Sequence, residues 1–186
     1  MSELTVKSAA EQIQLLQDRC LSAEELALEY LREIARLNPR LHAYVDLDED
    51  RALSAARDAD TRRARLKPSE QPSLLGLPLS VKSSLSVAGY LCETGTEIYR
   101  GHRPAQDAVS VARLRAEGAV ILGVTNCPEF LMAYETDNLL YGRTANPWDL
   151  DRQAGGSSGG ESSAIAAGIS SSKAGKSTSR RSRGTT

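Results

Sequence analysis

The chain is poor in the residues that staple, bridge or anchor a fold. Its three cysteines, Cys20, Cys92 and Cys127, are odd in number and far apart, which excludes a disulfide framework and a CxxC metal knuckle and points to a reducing compartment. No uninterrupted apolar run approaches the roughly 18 residues of a membrane span, and residues 1–10 lack the positive-then-apolar pattern of a secretory signal. The expectation is a cytoplasmic protein without a membrane span. Histidine is nearly absent, with His42 and His102 alone, so a histidine-based triad has few ways to be built. No internal repeat is visible.

Charge is also unevenly supplied. Residues 170–186 carry five basic and no acidic side chains, which leaves eighteen basic against twenty-four acidic residues in 1–169, a balance of −6. An acidic body argues against nucleic acid as the main partner, and a short basic tail without aromatics is a weak argument the other way. With 40% apolar and 25% charged residues over 186 positions, the remainder suits one soluble domain with a core.

What is present is a fold that changes character along the chain. Ser22 and Glu25 form a capping box, with Leu21 and Leu26 as a hydrophobic staple, and Leu26, Tyr30, Ile34 and Leu37 repeat at helical spacing up to Asn38-Pro39, where the helix is expected to end. Shorter helices are expected around residues 9–18 and 48–66, the latter with a small-residue face of Ala52, Leu53, Ala56 and Ala59. From Leu77 to Lys82 the pattern alternates, as in a strand, then residues 106–117 read as a helix, Gly118 breaks it, and Ala119 to Val124 form the continuous apolar run of a buried parallel strand. That is a strand-helix-strand unit. A short helix from Pro128 through Tyr134, a loop-rich stretch with a polar turn at residues 148–152, and a helix opening at Glu161 complete the reading.

The densest signal is Gly155-Gly156-Ser157-Ser158-Gly159-Gly160, where four glycines let the main chain approach a ligand and two serines offer hydroxyls. Phosphate binding fits poorly, because neither GxxxxGK[ST] nor GxGxxG is present and no strand pattern precedes the loop. A flexible linker is the plainer alternative. If the serines are catalytic, the candidate bases are Lys82, His42 and His102, and Lys82 is the best of them, since a partly desolvated lysine can take a hydroxyl proton near pH 7. An exposed lysine on an edge strand is the ordinary alternative.

Four ordered segments, Gly76-Leu77-Pro78-Leu79-Ser80-Val81-Lys82, Gly123 through Phe130, Asn146-Pro147-Trp148-Asp149 and Gly155 through Glu161, together resemble the amidase signature family. The resemblance runs from about residue 8 to 168 and is tightest from 74 to 168. It implies an α/β fold, the front of a longer α/β/α domain in which N-terminal helices lead into the start of a mixed sheet, over residues 1–169. It also implies hydrolysis of carbon–nitrogen amide bonds by a serine–serine–lysine triad, with Lys82 as base and Ser157 as bridging serine behind a cis peptide. Ser158 and Gly159 would line the same substrate site. A small-molecule amide is the implied partner, no cofactor is needed, and oligomeric state is left open.

Two departures qualify this. Ser83 stands where the family usually has an acidic residue. After Ile169 the expected strand and second glycine-rich stretch, whose serine is the nucleophile, give way to residues 170–186, with six serines, three threonines and no apolar side chain larger than alanine. The tail is expected to be disordered and the chain to be a truncated or frameshifted form without the nucleophile, and therefore inactive alone. A non-catalytic ligand-binding or regulatory module on the same scaffold, and an evolved basic tail, are the alternatives.

Overall fold

The computed structural model of the chain describes residues 2–171. Two capping boxes start the first helices. Ser8 accepts from Glu11 N–H while Glu11 reaches back to the Ser8 N–H, opening α1 (Ala9–Gln17), and Ser22 and Glu25 do the same for α2 (Ala23–Leu41). Asp60 adds a second cap from a distance, its carboxylate accepting from the Ala23 and Glu24 N–H groups at 2.8 and 3.0 Å. Asp60 itself lies on α3 (Glu49–Arg65), so this cap also fixes the two helices against each other. Their contact is close because α3 turns Ala52, Ala56 and Ala59 inward, as its small-residue face requires.

The expected stop at Asn38-Pro39 is not where α2 ends. Pro39 lies inside the helix, which continues to Leu41 and is capped by His42 in the left-handed conformation at φ 49°. Proline so near the C-terminus costs a single helical hydrogen bond, and Asn38 more than replaces it. Its Oδ1 accepts from Ala43 and Tyr44 N–H at 2.9 and 2.8 Å, and its Nδ2 donates to the Tyr44 carbonyl at 3.0 Å. The side chain thus takes over the backbone groups that the turn into β1 (Tyr44–Leu47) leaves unpaired.

A three-stranded sheet carries the centre, in the order β1-β3-β2. The apolar run becomes β3 (Val120–Thr125), buried at all six positions, antiparallel to β1 and parallel to β2 (Pro78–Lys82). The crossover between β2 and β3 contains α4 (Val109–Ala116), so the strand-helix-strand unit is as expected. The alternation seen in residues 77–82 does not mark a half-exposed strand: four of the five β2 residues are buried, because side chains cover both faces. Val120 and Leu122 face a core shared with Leu26, Tyr30 and Ile34 of α2, whereas Ile121 joins Leu77, Leu79, Val81 and Val111 on the other side. Each fully buried aliphatic chain contributes about 1.5–3 kcal/mol.

Three further expectations are corrected. The fourth helix begins at Val109 rather than Gln106, because Asp107 is held outside it, accepting from Ala88 N–H at 2.7 Å and pairing with Arg115. The helix expected from Pro128 to Tyr134 is only a 3-10 turn, Glu129–Leu131, with Phe130 and Leu131 at φ 46° and 63°, a conformation no α-helix continues through. The polar turn expected at residues 148–152 is a strand: β4 (Ala145–Asn146) and β5 (Asp149–Gln153) form a hairpin across Pro147-Trp148. After α5 (Gly159–Ala166) the chain stays in the fold past Ile169, since Ser170 and Ser171 are buried and Ser171 Oγ donates to the Pro78 carbonyl. The rest of the expected tail, residues 172–186, lies outside the described residues.

Replacing Asn38 by alanine strands two N–H groups and a carbonyl at the end of α2, where unpaired buried polar groups cost about 1–3 kcal/mol each. Thermal unfolding of Asn38→Ala should show a midpoint lowered by at least several degrees; an unchanged midpoint means that water or a shifted turn satisfies these groups equally well.

Candidate active site

Strand β2 and helix α5 bring the two strongest sequence features together. Lys82 closes β2, aligned with Thr125 of β3, and its side chain leaves the sheet toward the glycine-rich loop that precedes α5. Lys82 Nζ donates to Ser157 Oγ at 2.9 Å and to Ser158 Oγ at 3.0 Å. The Gly156–Ser157 peptide between them and the hairpin is cis. Neither histidine joins the group: His42 Nδ1 lies 3.2 Å from the Tyr141 carbonyl, and His102 sits beside the Tyr99 ring.

The loop is held chiefly by its backbone, as its composition requires. Gly155 takes φ 86°, donates its N–H to Gln153 Oε1 at 2.6 Å, and has open space around its Cα. The other three glycines are there for closeness. A Cβ on Gly156 would stand 2.8 Å from Glu135 N, one on Gly159 2.3 Å from Thr136 Oγ1, and one on Gly160 2.4 Å from Asn126 N. Thr136, which the sequence reading missed, clamps both ends of the loop: its hydroxyl donates to the Gly155 carbonyl at 2.8 Å and accepts from the Gly159 N–H at 2.9 Å. Gly159 therefore spends its N–H on Thr136 and packs against that side chain, while Ser157 and Ser158 present hydroxyls to the lysine.

Asn126 supports the frame from below. Its N–H donates to the Ala43 carbonyl, its carbonyl accepts from Gly160 N–H at 3.2 Å, and its side-chain amide donates to Gly142 O and Thr144 Oγ1 while accepting from Asn138 Nδ2 at 2.7 Å. One buried asparagine thus joins β3, the hairpin region and the start of α5. Asn126 lies within the Gly123 through Phe130 segment that carries the family resemblance, whereas Thr136 has no local pattern that would single it out. Their partners are residues brought close by the fold.

Burial pushes the Lys82 ammonium below its ordinary lysine value. The nearby Cys127 thiol pulls the other way only when ionised. Burial raises that thiol's own pKa, so near neutral pH it is a thiol and the downward effect prevails. Ser83, in the position where an acidic neighbour was expected, is buried with its Oγ 3.4 Å from Cys127 Sγ, and so adds no negative charge that would hold the proton on Lys82. A lysine poised in this way can accept a proton from either serine. Beside Ser157 opens a cleft of about 410 Å³ lined by Leu131, Met132, Ala133, Tyr134 and Gly156.

Residues 25–179 match the family model described as Amidase. A glutamyl-tRNA(Gln) amidotransferase subunit of Acidothermus cellulolyticus is 42% identical over 170 residues, which are 90% of this chain and 33% of that protein. The chain spans about a third of the length of the curated relatives it matches. Among solved structures, a bacterial aryl acylamidase of the amidase signature enzymes superposes with a TM-score of 0.83 at 30% identity, covering 91% of this chain and 35% of that one. A protein from a vestigial complex bearing on the origins of an s-triazine catabolic enzyme gives 0.84 at 38% identity, with 88% and 36% covered. The mixed α/β architecture described above is therefore part of their fold, and the chain belongs to the amidase family.

Proposed function

We propose that the chain carries the proton-handling half of a site that hydrolyses carbon–nitrogen amide bonds, with Lys82 as the base and Ser157 as the serine that relays a proton to it. The observation that carries this reading is the 2.9 Å contact from Lys82 Nζ to Ser157 Oγ, made by a lysine whose ammonium form is disfavoured by burial. A neutral amine there accepts the Ser157 proton, and Ser157 in turn takes the proton of a nucleophilic hydroxyl as that oxygen bonds to the amide carbonyl carbon. On collapse the carbon–nitrogen bond breaks, the amine departs with the proton returned through Ser157, and water later cleaves the acyl ester. Ser158, on the same ammonium at 3.0 Å, and Gly159 flank the place where a small-molecule amide would lie. No cofactor has a part in this chemistry.

Among the described residues, Ser157 Oγ has its hydrogen bond with Lys82 Nζ and none with a second hydroxyl. We therefore take the nucleophile to be missing from the described site, and a site without it to be inactive, since losing a catalytic serine costs roughly 10⁶-fold in rate elsewhere. A purely ligand-binding module is less favoured, because the two serine hydroxyls on Lys82 Nζ are the arrangement a proton relay uses.

Two measurements test this. Competitive acetylation with acetic anhydride across pH, read by peptide mass spectrometry, should show Lys82 reacting with a midpoint below the ordinary lysine value; a midpoint at that value would sink the base assignment. Turnover of a chromogenic anilide by the 186-residue chain should be indistinguishable from that of Lys82→Ala, and an excess abolished by that substitution would overturn the claim of an incomplete site.

A further inference from the structure

One partly buried ionisable group is unused by this chemistry. Glu161 lies in the first turn of α5, four residues after Ser157, and its carboxyl is surrounded by hydroxyls from three separate segments. Ser80 Oγ of β2 lies 2.7 Å from Oε2, Ser170 Oγ lies 3.2 Å from Oε1, and Thr125 Oγ1 of β3 lies 3.4 Å from Oε2. Ser80 Oγ and Ser170 Oγ are themselves 2.7 Å apart, which closes a triangle.

Three edges need three protons, and the two serine hydroxyls bring only two. An ionised carboxylate leaves one edge with facing lone pairs, whereas a carboxylic acid supplies the third proton and closes the ring. Thr125 cannot stand in, because its one proton serves Oε2 or the Val81 carbonyl and not the serine pair. The surroundings agree. Among the described residues, the elements packed on the carboxyl present Ser80 and, two residues on, Lys82 from β2, Thr125 from β3, Ser170, and Tyr44 from β1, whose phenol burial keeps neutral. Burial likewise raises the pKa of the Glu161 carboxyl.

Position gives the ring its consequence. Ser80 and Lys82 are two apart on β2 and so share a face of the strand, and Ser157 and Glu161 are four apart at the start of α5. The strand and the loop-helix junction are therefore joined at two points, Lys82 to Ser157 and Ser80 to Glu161. We propose that Glu161 is the positioning residue of the site, a neutral carboxylic acid whose closed ring with Ser170 and Ser80 sets the distance and angle at which Lys82 meets Ser157.

The inference rests on the reading of the Lys82–Ser157 pair, and acetylation midpoints of the 186-residue chain separate the two. Glu161→Gln, which keeps an amide donor and acceptor in place of the acid, should leave the Lys82 midpoint where it is in the unsubstituted chain. Glu161→Ala should raise it toward the ordinary lysine value, as the lysine loses its fixed contact and regains water. An unmoved midpoint in Glu161→Ala overturns the inference even if stability falls, and a Gln variant that shifts as far as the Ala variant overturns the neutral ring. Should Glu161→Ala fail to fold, Ser170→Ala opens the same ring by one atom and carries the same expectation. A Lys82 midpoint at the ordinary lysine value in the unsubstituted chain instead sinks the pair itself, and this inference with it.

Stability against pH gives an independent readout. Unfolded, the carboxyl ionises near its ordinary value of 4.5, while the folded group keeps its proton to higher pH. Its contribution is full below the ordinary value and is lost as pH rises through the folded one. The unsubstituted chain should therefore lose stability relative to Glu161→Gln as pH rises above 4.5, and a constant or opposite difference overturns the protonated state.

Discussion

The site depends on backbone meeting backbone where α5 begins. At Gly160 the helix comes so near Asn126 that a methyl group would stand 2.4 Å from its nitrogen and 2.5 Å from its carbonyl oxygen. Only at that separation can the Gly160 N–H reach the Asn126 carbonyl, and only from there does the preceding loop arrive in front of Lys82. Asn126 is in turn fixed by Ala43, Gly142, Thr144 and Asn138, so the position of two serine hydroxyls is set by segments that begin more than a hundred residues earlier. A close-packed interior transmits such a placement with little loss, since any shift at Gly160 must displace main chain and not a side-chain tip.

Much of the scaffold is legible in sequence because its causes are local. The capping boxes at Ser8 and Ser22, the alanine face of α3 and the apolar run of β3 each follow from residues within a turn or two of one another. The misreadings share the opposite property. Pro39 is tolerated because Asn38 bonds to Ala43 and Tyr44 beyond the helix, and residues 149–153 form a strand because Ala145 and Asn146 supply a partner edge. Ser170 and Ser171 read as a polar tail, yet they meet Ser80 and Pro78 across the sheet. The Lys82–Ser157 pair spans 75 residues; side-chain chemistry singles out Lys82 as the base and family resemblance singles out Ser157, since no spacing rule links a strand end to a loop at that distance. Thr136, Asn126 and Glu161 are polar residues whose importance consists in their partners, and periodicity carries no trace of those.

Burial acts on the two ionisable groups of this region in opposite directions with one result. It lowers the pKa of the lysine and raises that of the glutamic acid, which favours the uncharged form of each. The two do not form an ion pair: Lys82 is directed at Ser157 and Ser158, and Glu161 at Ser80, Thr125 and Ser170, so hydroxyls meet both. This difference matters chemically. A carboxylate in contact with Lys82 would hold the proton on the amine and remove it as a base, whereas a hydroxyl accepts a hydrogen bond from the ammonium and donates one to the amine. Serine suits both proton states of its neighbour, and that symmetry is what a relay requires. The abundance of serine around β2 and α5 thus fixes where a partly buried lysine points without adding a charge that would oppose the lowering of its pKa.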